Sequence, residues 1–353
     1  MTDVVEEKPH EAALSYPMKD APEIGDGSAR EVVPGVLWLR MPLFVALPHI
    51  NVWALEDGDG WTIVDTGLRS AKTVDAWRAA FSTSLAGRPI TRVIATHMHP
   101  DHCGMAGWLA DQFGARLWMS RLDYLTCRLM AADTGRQAPA EGVRFYKSAG
   151  WSKEALDNYK AKFGQFGESI YPLPNSYRRI EDGQRLVIGR HEWEVVTGSG
   201  HSPEHASLYC RELKLLIGGD QVLPRISSNV SVFPTEPDAD PLGHWLASLE
   251  RIKARVPDEV LVLPAHGLPF GGLHVRLDQL IEGHQEGLAK LQAMLTQPRR
   301  VVDIFPALFT REITGGILGM ATGESFAHLN RLEAEGKAVS EEDADGVRWW
   351  RAA

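Results

Sequence analysis

The chain has 353 residues, 44% hydrophobic and 24% charged, with 37 Lys plus Arg against 46 Asp plus Glu. That composition excludes disordered, collagen-like and coiled-coil chains, and a net charge of −9 argues against a protein built to coat nucleic acid. No run of about 18 uncharged apolar residues occurs, and the first twenty residues are acidic without an apolar centre. We therefore expect no spanning helix, no secretory leader, no membrane partner and a cytoplasmic location. Three scattered cysteines, Cys103, Cys127 and Cys210, are too few for a disulfide framework and read as reduced thiols.

At about 150 residues per domain the length suggests two units. Residues 1–30 are polar and without sustained period, which predicts a loosely held arm. From VPGVLWLR onward, short β-rich runs follow (HINVWALE, GDGWTIVDTG, ITRVIAT and ARLWMS), punctuated by Gly, Asp or Pro. Helical patterns lie between them. One places Val74, Trp77 and Phe81 on a single face, and a second starts near His102 with Met105, Trp108 and Leu109. Residues 121–180 form a helical insertion with ten Lys/Arg and six Asp/Glu, so 10 − 6 = +4 in an acidic protein. Such a segment suits a lid that attracts an anionic group, and equally a solvated face or a subunit interface.

Strands return with QRLVIG, HEWEVVTG, HASLYC and LKLLIGGD, then a helix from Pro241 to Arg255 and the strand EVLVLPAHG. This alternation predicts an α/β fold over residues 31–272, a sandwich of two sheets flanked by helices. Residues 273–353 read as a helical, winged-helix-like domain: a helix of about 25 residues, then GESFAHLNRLEAEGK with Gly336 placed as its C′ residue, then a hairpin ending at Trp349 and Trp350. From 297 to 353 the charge is 7 − 9 = −2, which favours packing or a homodimer contact over DNA binding.

The chemistry is concentrated in THMHPDHCG, where His97, His99, Asp101 and His102 follow a strand predicted to end at Thr96. Strand ends deliver loops to a sheet rim, where polar side chains converge without entering the core. Three imidazoles and a carboxylate within six residues offer the donors that borderline cations such as zinc prefer. Three later loops end strands in the same manner: GSGHSPEH with His201, GGD with Asp220, and PAHG with His266. Cys103 beside His102 reads as a small buried residue at a helix start.

These four loops, in this order, resemble the metallo-β-lactamase superfamily over most of residues 32–267. The resemblance implies that family's αββα sandwich and a dinuclear hydrolase. His97, His99 and His201 would hold one metal, Asp101, His102 and His266 the second, and Asp220 would bridge them. Two Zn²⁺ per chain are implied, with Fe or Mn as other divalent occupants. Asp65 in VDTG would orient ligands or their loop, an Asx-turn role being the alternative. His205 could do likewise or be a core histidine.

The commonest zinc β-lactamases carry Arg at the place of His102 and Cys at the place of Asp220, so this chain is more similar to the glyoxalase II, lactonase and ribonuclease Z branches. The expected reaction is hydrolysis of a small-molecule ester, thioester or lactone by a metal-bridging hydroxide, with Asp101 passing the proton and Asp220 as the second catalytic carboxylate. A metal-dependent ribonuclease is the alternative, and a mononuclear iron persulfide dioxygenase-like enzyme or a zinc β-lactamase stands behind it. The apolar loop MPLFVALPHI offers Leu43, Phe44 and Leu47 as a wall for an acyl group, or as core. A small-molecule acyl partner and no nucleic acid are thus expected.

Overall fold

A computed structural model describes residues 14–44, 47–85 and 87–353. Seven strands form the first sheet: β1 (Arg30–Val33), β2 (Val36–Pro42), β3 (His49–Asp57), β4 (Gly60–Val64), β5 (Ile90–Ile94), β6 (Arg116–Met119) and β7 (Arg178–Arg179), side by side in that order. Pairing is antiparallel as far as β4 and parallel beyond it. Five strands form the second: β8 (Arg185–Ile188), β9 (His191–Gly198), β10 (His205–Cys210), β11 (Leu215–Gly219) and β12 (Leu261–Pro264), in the order β12-β11-β10-β9-β8.

The sheets face each other across Trp38, Trp53, Trp193, Leu208 and Leu263. Such bulky inward residues fill the space between two sheet faces without voids. Among them Trp38 and Trp53 stack at 6.0 Å. The outer face of the first sheet is covered by α1 (Ala71–Ser82), α2 (Pro100–Cys103), α3 (Ala106–Phe113) and α4 (Arg121–Ala132), around Trp77, Leu109 and Cys127. Helix α1 matches its predicted face, with Trp77 buried and its indole donating to the Thr66 carbonyl (2.8 Å). The insertion continues with α5 (Ala140–Ser148) and α6 (Lys153–Lys162).

On the other side lie α7 (Pro241–Arg255), α8 (Leu273–Met294), α9 (Phe305–Leu308) and α10 (Leu318–Ala334), then the hairpin β13 (Ala338–Glu342) and β14 (Arg348–Ala352). One hydrophobic cluster runs from Val196, Leu216 and Val262 of the second sheet through Trp245 and Leu277 to Phe326, Leu329, Leu332 and Trp350. The C-terminal helices and hairpin are therefore the outer layer of the sandwich on this side. The insertion reaches them too: Phe145 and Ala149 join the same cluster, and the Trp151 indole donates to Thr322 (2.9 Å).

The expected loose arm needs correction. From residue 14 the chain is laid onto the body: Ser15 and Gly271 exchange two backbone hydrogen bonds, Met18 is buried, and Gly27 lies so close to Ala79 and Ala80 that a Cβ would stand 2.5–2.7 Å from their atoms. Polar composition predicted looseness, but backbone pairing and close approach of small residues hold this stretch. Residues 1–13 lie outside the described residues. Among the described residues no helix is long and apolar enough to cross a membrane.

Candidate metal centre

Five loops at one rim of the sandwich build the site. Asp65 follows β4, His97 to His102 follow β5 and run into α2, His201 follows β9, His205 opens β10, Asp220 follows β11 and His266 follows β12. Residues at strand ends can face a shared crevice because the sheet's hydrogen bonding is already complete there. The four loops picked out in the sequence do meet, although 169 positions separate His97 from His266.

The donors fall into two groups. His97, His99, His201 and Asp220 have ligand atoms within 4.8 Å of one another, and so do Asp101, His102 and His266. Asp220 faces both: its Oδ2 lies 3.4 Å from His201 Nε2 and 3.4 Å from His102 Nε2, and its Oδ1 is 3.5 Å from His266 Nε2. Asp101 Oδ2 lies 3.3 Å from His266 Nε2 and 3.7 Å from His102 Nε2.

Surrounding residues fix which ring nitrogen points inward. His201 Nδ1 donates to the Asn229 carbonyl (2.8 Å) and His266 Nδ1 to the His49 carbonyl (3.0 Å), so in the neutral rings Nε2 presents its lone pair to the centre. His102 Nδ1 donates to Asp65 Oδ2 (2.8 Å). Asp65 also accepts from the Thr96 backbone (2.8 Å) and hydroxyl (2.9 Å), and to reach all three it adopts φ +59°. That left-handed conformation is tolerated by Asp better than by most residues. Asp65 thus pins the loop bearing the histidines and orients His102. His205 Nε2 accepts from the Asp220 backbone N–H (3.2 Å), an approach that Gly219 permits, since a Cβ there would stand 2.4 Å from the ring nitrogen.

Protons alone do not satisfy this arrangement. His99 Nδ1 lies 2.9 Å from His97 Nε2 and 3.0 Å from His201 Nε2, and three convergent ring nitrogens cannot all be paired by hydrogen bonds among themselves. His102 Nε2 and Asp220 Oδ1 are buried without a hydrogen-bond partner. Unmet buried donors and acceptors are costly, and convergent ones of this chemistry fit a cation. Charge tells the same story. Burial, with His102 and His99 beside it, holds His97 neutral, and burial with His201 pushes His99 to about 3. Burial opposes charging at His102 and His266 as well, yet the facing carboxylates, Asp220 foremost, raise both rings above the usual histidine range. Burial likewise opposes ionisation at Asp101 and Asp220, but His102 and His266 keep both carboxyls below the usual range. The half of the site with Asp101, His102 and His266, which Asp220 also faces, favours positive charge.

Sequence reasoning missed several supports. Asp123, buried in α4, accepts from the backbone N–H of Met98 (2.9 Å) and Glu204 (2.7 Å), so one carboxylate ties the first histidine loop to the His201 loop. Its only local signal is the S-x-x-D spacing from Ser120, a helix-start pattern that says nothing about distant partners. Asn51 donates to the carbonyls of Pro264 and Gly267 (both 2.8 Å) and accepts from Trp38 (2.8 Å), steadying the loop of His266. Of the apolar wall, Leu43 is buried in the core and Leu47 packs against it. Phe44 is 51% exposed, with Lys72 Nζ 4.7 Å above its ring. Val45 and Ala46 between them lie outside the described residues.

Comparison with known proteins agrees with this architecture. Residues 47–266 match the metallo-beta-lactamase superfamily, and residues 288–353 match a metallo-beta-lactamase-like C-terminal domain. A beta-lactamase domain protein from Burkholderia ambifaria is 40% identical in sequence, superposes with a TM-score of 0.87, and is matched over 96% of this chain and 98% of its own. A probable metallo-hydrolase from Bacillus subtilis is 24% identical over 85% of this chain and 92% of its own length. An acyl-coenzyme A thioesterase from Gallus gallus is 22% identical over 67% of this chain and 79% of its own. The chain belongs to the metallo-β-lactamase superfamily and is a metal-dependent hydrolase.

Proposed function

We propose that the chain hydrolyses a small-molecule ester, thioester or lactone at a pair of zinc ions. The observation that carries this reading is the division of seven convergent donors into two groups that share Asp220. His97, His99, His201 and Asp220 would hold one ion, and Asp101, His102, His266 and Asp220 the other. Such a pair, when bound, lowers the pKa of a water from 15.7 toward about 7 and polarises an acyl oxygen.

The protein's own groups supply the rest. Carbonyl acceptors at Asn229 and His49 and the Asp65 carboxylate hold three of the imidazoles in the orientation ligation needs. Asp101 is the most exposed of the carboxylates at the centre, at 25% against 10% for Asp220 and 2% for Asp65, and is therefore the group placed to take a proton and return it to a leaving alkoxide or thiolate. Phe44 is the apolar surface that the loop after β2 offers to an acyl chain. The similarity to an acyl-coenzyme A thioesterase supports a thioester among these substrates.

The test is a panel of lactones, aryl esters, acyl thioesters, phosphoesters, β-lactams and single-stranded RNA, run beside Asp220→Ala with metal content measured on the same samples. Two zinc per chain and acyl cleavage that vanishes in the variant are expected. RNA cleavage that vanishes in the variant, or a single iron per chain, would overturn the reading.

A further inference from the structure

The segment between Asp220 and Val232 carries two parts of the centre, the shared carboxylate and the Asn229 carbonyl that orients His201. It has no regular secondary structure beyond turns and bends and an isolated bridge residue, so its shape must come from what it touches. What it touches is the C-terminal layer. Arg276 of α8, fully buried, donates to the carbonyls of Leu223 (2.6 Å) and Ile226 (3.0 Å). His284 of α8 meets the Ser227 hydroxyl (3.1 Å) and, through its other nitrogen, His328 of α10 (3.3 Å).

Helix α10 reaches the residue whose carbonyl orients His201. Glu324, at 0% exposure, accepts from Asn229 Nδ2 (2.6 Å), while Asn229 Oδ1 accepts from the Ser231 hydroxyl (2.6 Å). The Val232 backbone N–H donates to the Gly323 carbonyl (3.0 Å), and a Cβ at Gly323 would stand 2.7 Å from Ser231 Oγ. A carboxyl buried this completely, with a single hydrogen-bonded side-chain partner, is expensive to keep, since burying a polar group costs stability that this bond only partly offsets. Hydrophobic replacement would cover the core equally well. The chain Glu324 to Asn229 to His201 spans two hydrogen bonds and ends on a ring that faces the metal centre.

We propose that Glu324 is a positioning residue for the metal centre: through the Asn229 side chain it holds the Asn229 carbonyl where it aligns His201, so the C-terminal layer shapes the His97, His99, His201 and Asp220 group. The proposal rests on the reading of that group as a metal site. Loss of Glu324 weakens the group that contains His201 and spares the Asp101, His102 and His266 group, whose rings are oriented from Asp65 and His49 instead.

The test is titration of metal-stripped full-length protein with Co²⁺ and Zn²⁺ against a chromogenic chelator, resolving two binding steps, with thermal unfolding of the stripped proteins alongside. Glu324→Ala and Asn229→Ala are each expected to weaken one step by about 10–100-fold and leave the other unchanged, the range found for partners that orient metal-bound histidines. Glu324→Gln, whose amide oxygen can still accept from Asn229, is expected to recover most of that loss. The double variant should be no weaker than the worse single one, because both act through one carbonyl. If Glu324→Ala does not fold, Glu324→Gln and Asn229→Ala decide the matter by the same titration. Two unchanged binding steps in folded variants, or equal weakening of both, would overturn the positioning role while leaving the metal centre intact. No binding of either ion by the wild-type protein would overturn the metal centre itself, and the positioning role with it.

Discussion

Among the described residues two buried histidine clusters differ in kind. At the rim, five imidazoles and two carboxylates converge, some rings held neutral and others driven positive, with His102 Nε2 and Asp220 Oδ1 left without hydrogen-bond partners. Beneath the C-terminal layer, His284 and His328 are also buried, but their nitrogens are engaged by Ser227, by each other and by the Glu324 carbonyl. Burial pushes these two to about 3 and about 4, so both are neutral at physiological pH. Counting histidines does not separate a metal site from a structural knot. Unmet donors and mixed charge do.

The largest effect expected from breaking this contrast is at Asp220 or His266. Asp220→Ala removes the carboxylate that both groups share, and His266→Ala takes one donor from the second group. Each should deplete the second metal and cut turnover by roughly 10²-fold or more, the scale of losing a centre that develops and stabilises transition-state charge. Metal analysis and initial rates check this, and full activity in either variant would remove the dinuclear reading. His284→Ala removes no donor and should chiefly cost stability, with a far smaller effect on metal content than either.

Next comes metal removal. Ligands that bind only the folded state stabilise it by about 2.7 kcal/mol at a hundred times Kd. Stripping zinc with a chelator should therefore lower the melting temperature, and readdition should restore it. The drop should be preserved in His284→Ala, whose lesion lies in the other cluster. An unchanged melting temperature in the wild-type protein would mean that the rim does not bind the ion when folded.

A signed, pH-dependent effect belongs to Glu324. Burial raises its carboxyl from 4.5 to about 8, against the opposing pull of the Asn229 bond. The folded state then holds a proton that the unfolded chain has lost, so this group's contribution to stability is complete below pH 4.5 and is lost as pH rises toward 8. The facing rings, His328 and beyond it His284, titrate in the folded protein below that window and are common to wild type and variant. Compared with Glu324→Gln, the wild-type protein should lose up to about 1.4 kcal/mol per pH unit across the window. Denaturant unfolding at several pH values measures the difference, and a flat difference would show that Glu324 is ionised in the fold.

The rim was legible in the sequence because its signal is local and chemical. Four of its seven donors lie between His97 and His102, and each of the other three ends an apolar run that reads as a strand. The helix at 71–82 was legible from the apolar spacing of Val74, Trp77 and Phe81, and a helix was expected at 241–255 as well. What escaped was long-range pairing. Asp123 reaches Glu204 across 81 positions, Asn51 reaches Gly267 across 216, and Glu324 reaches Asn229 across 95. Each of these is a lone polar residue whose partner is unrelated in sequence, and α10 hides Glu324, His328 and Asn330 in a stretch buried nearly all round. Periodicity assigns such residues to an exposed face. Only the docking of α10 on the segment after Asp220 reverses that assignment.

The smallest effect expected is at Cys103, next to a predicted ligand and so the residue most easily mistaken for one. Its thiol points away from the centre: Sγ donates to the Met98 carbonyl (3.0 Å) and lies 3.7 Å from Cys127 Sγ, inside the cluster under the first sheet. A hydroxyl can donate the same bond to Met98, so Cys103→Ser should keep both metals and full turnover, with at most a modest stability loss from poorer packing. Zinc content measured on the purified variant decides it. Loss of metal there, with the fold intact, would mean that the thiol swings toward His102 and that the donor set is larger than the two groups at the rim.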